Sequence, residues 1–127
     1  MTFLIVDDSR PARNLIKNYV NEIKTQHIYN FIEAENAETA LVAIQTNRID
    51  FIFLDWNLSS KMTGLDILKE IRAIEKYKTV PIFMVTSEGD KVHVIEALKS
   101  GANDFIVKPI DPKIFEPKVF KIIFTLK

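Results

Sequence analysis

Four short apolar runs, each ending in a charged or hydroxyl-bearing residue, constrain this chain more than any other feature. Phe3-Leu4-Ile5-Val6 ends in Asp7-Asp8, and Phe51-Ile52-Phe53-Leu54 ends in Asp55. Pro81-Ile82-Phe83-Met84-Val85 ends in Thr86-Ser87, and Phe105-Ile106-Val107 ends in Lys108-Pro109. Unbroken apolar runs of this length read as strands buried on both faces, the pattern of a parallel sheet covered by helices. In such a sheet, ligands meet the protein outside the carboxyl ends of the strands. Three carboxylates, a hydroxyl and an ammonium group are therefore expected to converge on one small polar site.

Helix and strand signals alternate along the rest of the chain. Residues 10–24 predict a helix, with Pro11 in its first turn and Leu15, Ile16, Tyr19, Val20 and Ile23 at helical spacing. Asn30 to Ala34 predict a short strand, expected at a sheet edge. Asn36 is placed to cap a helix reaching about Thr46, with Ala40, Leu41 and Ile44 inward. A polar loop over 56–63 leads to a helix from Gly64 to about Tyr77. Asp90 is placed to cap a helix through Lys99, which Ser100-Gly101 ends. Asp111-Pro112 opens the last helix, carrying Ile114, Phe115, Val119, Ile122 and Ile123. Pro117 falls inside it, where it removes one hydrogen bond. Five strand–helix units predict an α/β fold with a five-stranded parallel sheet and helices on both faces, a single domain over 1–127.

Composition narrows the function classes. Lys+Arg and Asp+Glu are both 17, so the net charge is zero, which argues against non-specific nucleic-acid or membrane binding. There is no cysteine, which excludes disulfides, thiolate zinc sites and cysteine catalysis. No apolar run approaches the ~18–20 residues of a membrane span. The N-terminus lacks the pattern of a secretory leader, and a cytoplasmic location is expected.

Asp7, Asp8 and Asp55 suit a hard divalent cation, Mg²⁺ or Mn²⁺, which takes oxygen ligands and keeps several waters. Without a cation they would repel one another, Lys108 supplying only one positive charge. A carboxylate between Mg²⁺ and an ammonium group is also placed to attack a phosphoryl group. Each residue has a plainer reading when taken alone. Paired acids often sit solvated in loops, Thr86 would serve as a turn or cap residue, and Phe105 would belong to the core. His27 and His93 read as surface residues. The ordered set is what gives the chemistry.

That set is Val6-Asp7-Asp8-Ser9, Asp55-Trp56-Asn57, Gly64-Leu65, Thr86-Ser87-Glu88, Gly101-Ala102, Phe105 and Lys108-Pro109. It resembles the receiver domain of two-component response regulators, most of all the single-domain, CheY-like type, and covers the chain from end to end. The resemblance implies the flavodoxin-like strand order 2-1-3-4-5. Asp55 would accept a phosphoryl group from a histidine kinase. Asp7, Asp8, Asp55 and the main-chain carbonyl of Asn57 would hold Mg²⁺. Lys108 would bind the phosphoryl group, Thr86 would turn its hydroxyl toward it, and Phe105 would move inward. Asn57 and Glu88 would tune self-dephosphorylation, and Lys108–Pro109 would be cis.

The resemblance further implies a protein-binding face built from helix 90–99, strand 105–107 and the last helix, with Lys91, Val94, Phe105 and Lys118 meeting a downstream protein target. The chain is then a signalling receiver that catalyses only its own phosphorylation and dephosphorylation, a monomer when unphosphorylated, with no direct nucleic-acid partner. Chemotaxis is one setting it implies. A phosphorelay carrier, a receiver separated from an output domain, a small-molecule phosphohydrolase and a docking module that takes no phosphate are the alternatives. Two features depart from the family: Leu58-Ser59 replace its usual Met-Pro, and one extra residue lies between Asp55 and Gly64. The switch aromatic is Phe105, where the CheY-like type has tyrosine.

Overall fold

The computed structural model describes residues 1–58, 61–87 and 91–126, with Lys91 described by its backbone only. Five strands form one sheet: β1 (Thr2–Val6), β2 (Asn30–Ala34), β3 (Phe51–Asp55), β4 (Ile82–Thr86) and β5 (Asp104–Val107). All neighbouring pairs are parallel. Their order is β2-β1-β3-β4-β5, the order expected, with β2 at one edge. The helices are α1 (Arg10–Asn21), α2 (Ala37–Thr46), α3 (Gly64–Ala73), α4 (Lys91–Lys99) and α5 (Pro112–Thr125).

Side chains alternate across a strand, so the apolar runs feed two cores at once. Leu4, Val6, Ile52, Leu54, Ile82 and Met84 point to an aliphatic core shared with α2 and α3, which Ala97 of α4 also joins. Phe3, Ile5, Phe51, Phe53, Phe83 and Val85 point to the other face, under α1 and α5. That second core is aromatic. Phe51 and Phe53 stack at 4.9 Å, and Phe53 stacks on Phe115 of α5 at 5.5 Å. Each fully buried phenylalanine contributes about 1.5–3 kcal/mol. The central strands β1 and β3 are thus clamped from both sides, which holds their carboxyl ends still.

Two helices are shorter than their apolar spacing predicts. The spacing extends the first helix to residue 24, but α1 ends at Asn21, with Ile23 buried just beyond it. The spacing extends the third to about Tyr77, but α3 ends at Ala73, Ile74 is extended, and Glu75–Tyr77 form a 3₁₀ turn. Tyr77 is buried and its hydroxyl donates to the Asn47 carbonyl at 2.6 Å, which draws that turn toward the end of α2. Ile114 is exposed, the inward residues of α5 being Phe115, Val119 and Ile123. Pro117 does lie within α5. It and Lys113, whose carbonyl loses its partner, are both exposed, so water can reach the freed acceptor. The expected cap Asp90 lies outside the described residues.

Caps set the helix starts near the sheet's carboxyl ends. Ser9 accepts from the Ala12 amide, Asn36 from Thr39, and Asp111 from Lys113. Thr63 and Asp66 form a reciprocal capping box that starts α3 directly after the lengthened loop. Leu58 and Met62 pack against the aliphatic core on either side of residues 59 and 60.

Away from those ends, Arg72 ties α3 to the turn before β5. Its guanidinium donates to Gly101 O at 3.0 and 2.7 Å, Tyr77 O at 2.8 Å and Asn103 Oδ1 at 3.0 Å. Arg72→Ala is expected to cost about 1–3 kcal/mol in chemical denaturation. Mg²⁺ affinity should be unchanged, because these bonds lie away from the acidic strand ends. A loss below about 0.5 kcal/mol would show that the fork is a surface decoration.

Candidate functional site

β1 and β3 are neighbours, and their parallel register pairs Val6 with Leu54. The residues that follow, Asp7 and Asp55, therefore project side by side from the middle of the sheet. Asp7 is 1% exposed and Asp55 5%, whereas Asp8 is exposed. Carboxylate oxygens of all three lie within 4.8 Å of one another. Among the described residues this is the one group of acidic or imidazole side chains dense enough for a metal ion. Three hard oxygen donors, two of them buried and one open to solvent, fit Mg²⁺ or Mn²⁺.

Lys108 closes the site from the β5 end. Its amide donates to Thr86 O at 2.7 Å, which seats the residue beside β4. Its ammonium donates to Asp7 Oδ2 at 2.8 Å and stands 3.6 Å from Asp55 Oδ2. Burial alone would lower the Lys108 pKa, but the hydrogen bond to Asp7 and the charges of Asp55 and Asp7 raise it above its ordinary value. The Asp55 carboxyl is raised too, which for an acid favours the neutral form. Burial, then the Asp7 charge, push its carboxyl from 3.8 up to about 6, against the pull of Lys108. One ammonium group does not neutralise this cluster, and a divalent cation would restore the balance.

The main chain around Asp55 is held by hydrogen bonds on both sides. Asp55 Oδ1 accepts from the Asn57 amide at 3.2 Å. The Trp56 amide donates to Val85 O at 2.8 Å, and Trp56 O accepts from the Gly64 amide at 3.0 Å. Thr86, at the end of β4, is buried at 6% exposure. Lys108–Pro109 is cis. Next to Asp8 an open cleft of about 600 Å³ runs along Glu35, Asn36 and Glu38, with Lys61 and Met62 on its far side.

Phe105 is half-buried and packs at the margin of the aliphatic core. Lys118 does not stand as a free surface charge. Its ammonium lies 4.6 Å over the Phe105 ring and donates to Asp104 Oδ1 at 3.2 Å and Phe105 O at 3.1 Å. Val94 is half-buried. Glu88 and the side chain of Lys91 lie outside the described residues.

Two contributors are absent from the sequence reading. Arg13 donates to Asp7 O at 2.7 Å while pairing with Glu33 at 2.9 Å, so α1 holds the β1 terminus in place. Lys17, one turn later on the same helix face, joins Glu33 at 3.0 Å. The Arg13/Lys17 spacing was the available signal, but its partner on β2 was not. The second is His93, whose ring stacks on Trp56 with centroids 4.7 Å apart.

Known proteins are similar to this chain. The chain is 38% identical to the chemotaxis protein CheY of Pseudomonas aeruginosa over 122 residues, 96% of this chain and 95% of that one. It is 37% identical to CheY1 of Helicobacter pylori, covering 98% of each. The structure of the chemotaxis response regulator CheY4 of Vibrio cholerae superposes with a TM-score of 0.83 at 29% identity, covering 95% of this chain and 97% of that one. The response regulator receiver domain family matches residues 3–119, and this chain belongs to it.

Proposed function

We propose that the chain is a phosphorylation-controlled signalling switch in which Asp55 is the acceptor. The observation that carries this is the placement of a buried, partly compensated Asp55 beside Asp7 and Lys108 at the carboxyl end of the central strand. A carboxyl at about 6 is mostly ionised near neutral pH, so Asp55 is available as a nucleophile. One of its oxygens forms the bond to phosphorus as the bond to the donor's histidine nitrogen breaks, and the electron pair leaves on that imidazole. Lys108 is placed to hold a phosphoryl oxygen, exchanging part of its contact with Asp7 for it.

Asp7, Asp8, Asp55 and the Asn57 carbonyl would hold Mg²⁺, which when bound offsets the charge on the phosphoryl oxygens. Arg13 keeps the β1 end from shifting as that charge arrives. Thr86 and Phe105 lie on adjacent strands, placed to pass a change at Asp55 toward α4, β5 and α5. On that face Ile95, Leu98, Val107 and Ile114 are exposed, which suits a protein target. This reading takes a histidine kinase as the donor, by analogy with the family, and with it a cytoplasmic location and a resting monomer. Chemotaxis is the setting suggested by the names of the relatives. No described helix is long and apolar enough to cross a membrane.

The test is intact mass after incubation with acetyl phosphate, with and without Mg²⁺. A gain of ~80 Da that needs Mg²⁺ and is lost in Asp55→Asn is expected. Phosphorylation at full yield in Asp55→Asn would place the acceptor elsewhere. Partner binding that Asp55→Asn leaves intact would support a docking module instead.

A further inference from the structure

We infer that His93, stacked on Trp56, is a positioning residue that holds α4 in its resting place and so sets how readily the site takes a phosphoryl group. The inference rests on the switch reading above and adds a second connection between the acceptor and α4, beside Thr86 and Phe105. It starts from how lightly α4 is held. Of its described side chains Ala97 is the one fully buried, and Val92, Ile95 and Leu98 are 69%, 52% and 44% exposed. A helix with so little buried surface is free to shift at small cost.

Trp56 is the opposite case. Its backbone is fixed on both sides, by Val85 O and by the Gly64 amide, and it directly follows Asp55. The indole packs against the aliphatic core. The imidazole of His93 lies over it at 4.7 Å and 24°, a stack between a lightly buried helix and a point of the site whose backbone is hydrogen-bonded on both sides. α4 starts only five residues after Thr86. A Thr86 hydroxyl drawn toward a phosphoryl group shifts the end of β4 next to Trp56, and a shift of α4 relative to Trp56 shears the stack. His93 therefore favours the resting state, and deleting its ring should ease activation by the worth of the stack.

Trp56 is the single tryptophan, so all emission comes from this one place between Asp55 and His93, and amide exchange reads α4 separately. Parent, His93→Ala and His93→Phe are titrated with the beryllium trifluoride complex in Mg²⁺, following Trp56 emission, and amide exchange in α4 is measured without the complex. His93→Ala should bind the complex about two- to tenfold more tightly and exchange its α4 amides faster. His93→Phe, which keeps a ring on the indole, should match the parent in both. An unchanged affinity in His93→Ala while the parent binds normally would overturn this inference and leave the switch reading standing. A parent that binds no complex would overturn the switch reading, and this inference with it.

Discussion

Asp55→Asn is expected to stabilise the protein in chelator near neutral pH while abolishing its phosphorylation. Burial and the Asp7 charge hold the Asp55 carboxyl at about 6, against 3.8 for an ordinary aspartate. The folded state therefore keeps this proton more tightly than the unfolded state does. Below about pH 4 both states carry it, and the stabilising effect is fully present. Between about 4 and 6 the unfolded chain releases the proton first, so stability falls as pH rises. Above about 6 both are ionised and the whole effect is lost. At most about 3 kcal/mol is at stake.

An amide at residue 55 carries no charge to bury, and its oxygen can still accept from the Asn57 amide. It gives up the 3.6 Å approach of Lys108, but that attraction is already outweighed in the parent. Near pH 7 the variant should melt roughly 4–12 °C higher than the parent, with the gap closing toward pH 4. Millimolar Mg²⁺ should reverse the ranking, raising the parent and not the variant. Thermal melts at the two pH values, with and without Mg²⁺, decide it. A variant less stable than the parent in chelator near pH 7 would mean that Lys108 already neutralises the cluster.

Strand ends and the caps Asn36 and Asp111 were legible in the sequence because each depends on residues adjacent in the chain. The apolar runs fixed β1, β3 and β4, and with them the approach of Asp7, Asp55 and Thr86. What was not legible depends on partners far apart in sequence. Apolar spacing continues through Ile74 to Tyr77, so it cannot show that the helix ends at Ala73. The break depends on Tyr77 reaching Asn47 O, thirty residues away. The resemblance placed Lys118 on the protein-binding face, and its bonds to Asp104 and Phe105 were not legible because they meet it only once α5 folds back along β5. His93 read as a surface residue, and it is exposed, but nothing adjacent in the chain showed its ring meeting Trp56. The resemblance supplied roles for single residues, whereas these cross-element contacts belong to this chain.

Gly64→Ala is expected to be among the most damaging single-methyl changes in the molecule. A Cβ at residue 64 would lie 2.3 Å from Asp55 O, 2.8 Å from Trp56 Cα and 3.1 Å from Asp55 C. All three are backbone atoms of the strand end and loop that carry the acceptor, so no side chain can turn aside. Either α3 lifts away or the Asp55–Trp56 backbone is displaced. Lifting α3 breaks the 3.0 Å bond from the Gly64 amide to Trp56 O and loosens Leu65, Ile67, Leu68 and Ile71 from the sheet. Displacing the strand end moves the Asp55 carboxylate from Lys108 and Asp7. The expected loss is about 2–4 kcal/mol, or roughly 8–16 °C in Tm. The fraction still folded at low temperature should take phosphoryl groups from acetyl phosphate more slowly. Gly101→Ala is the control. There φ is +109°, and the nearest atoms belong to the Arg72 side chain, starting with its Nε at 3.0 Å. Its cost should be backbone strain plus displacement of the Arg72 fork, about 1–3 kcal/mol, with phosphorylation unaffected because neither touches the Asp55–Trp56 backbone. Equal Tm losses in the two variants, with normal phosphorylation in both, would show that Gly64 is not needed for the close packing of α3 against the acceptor loop.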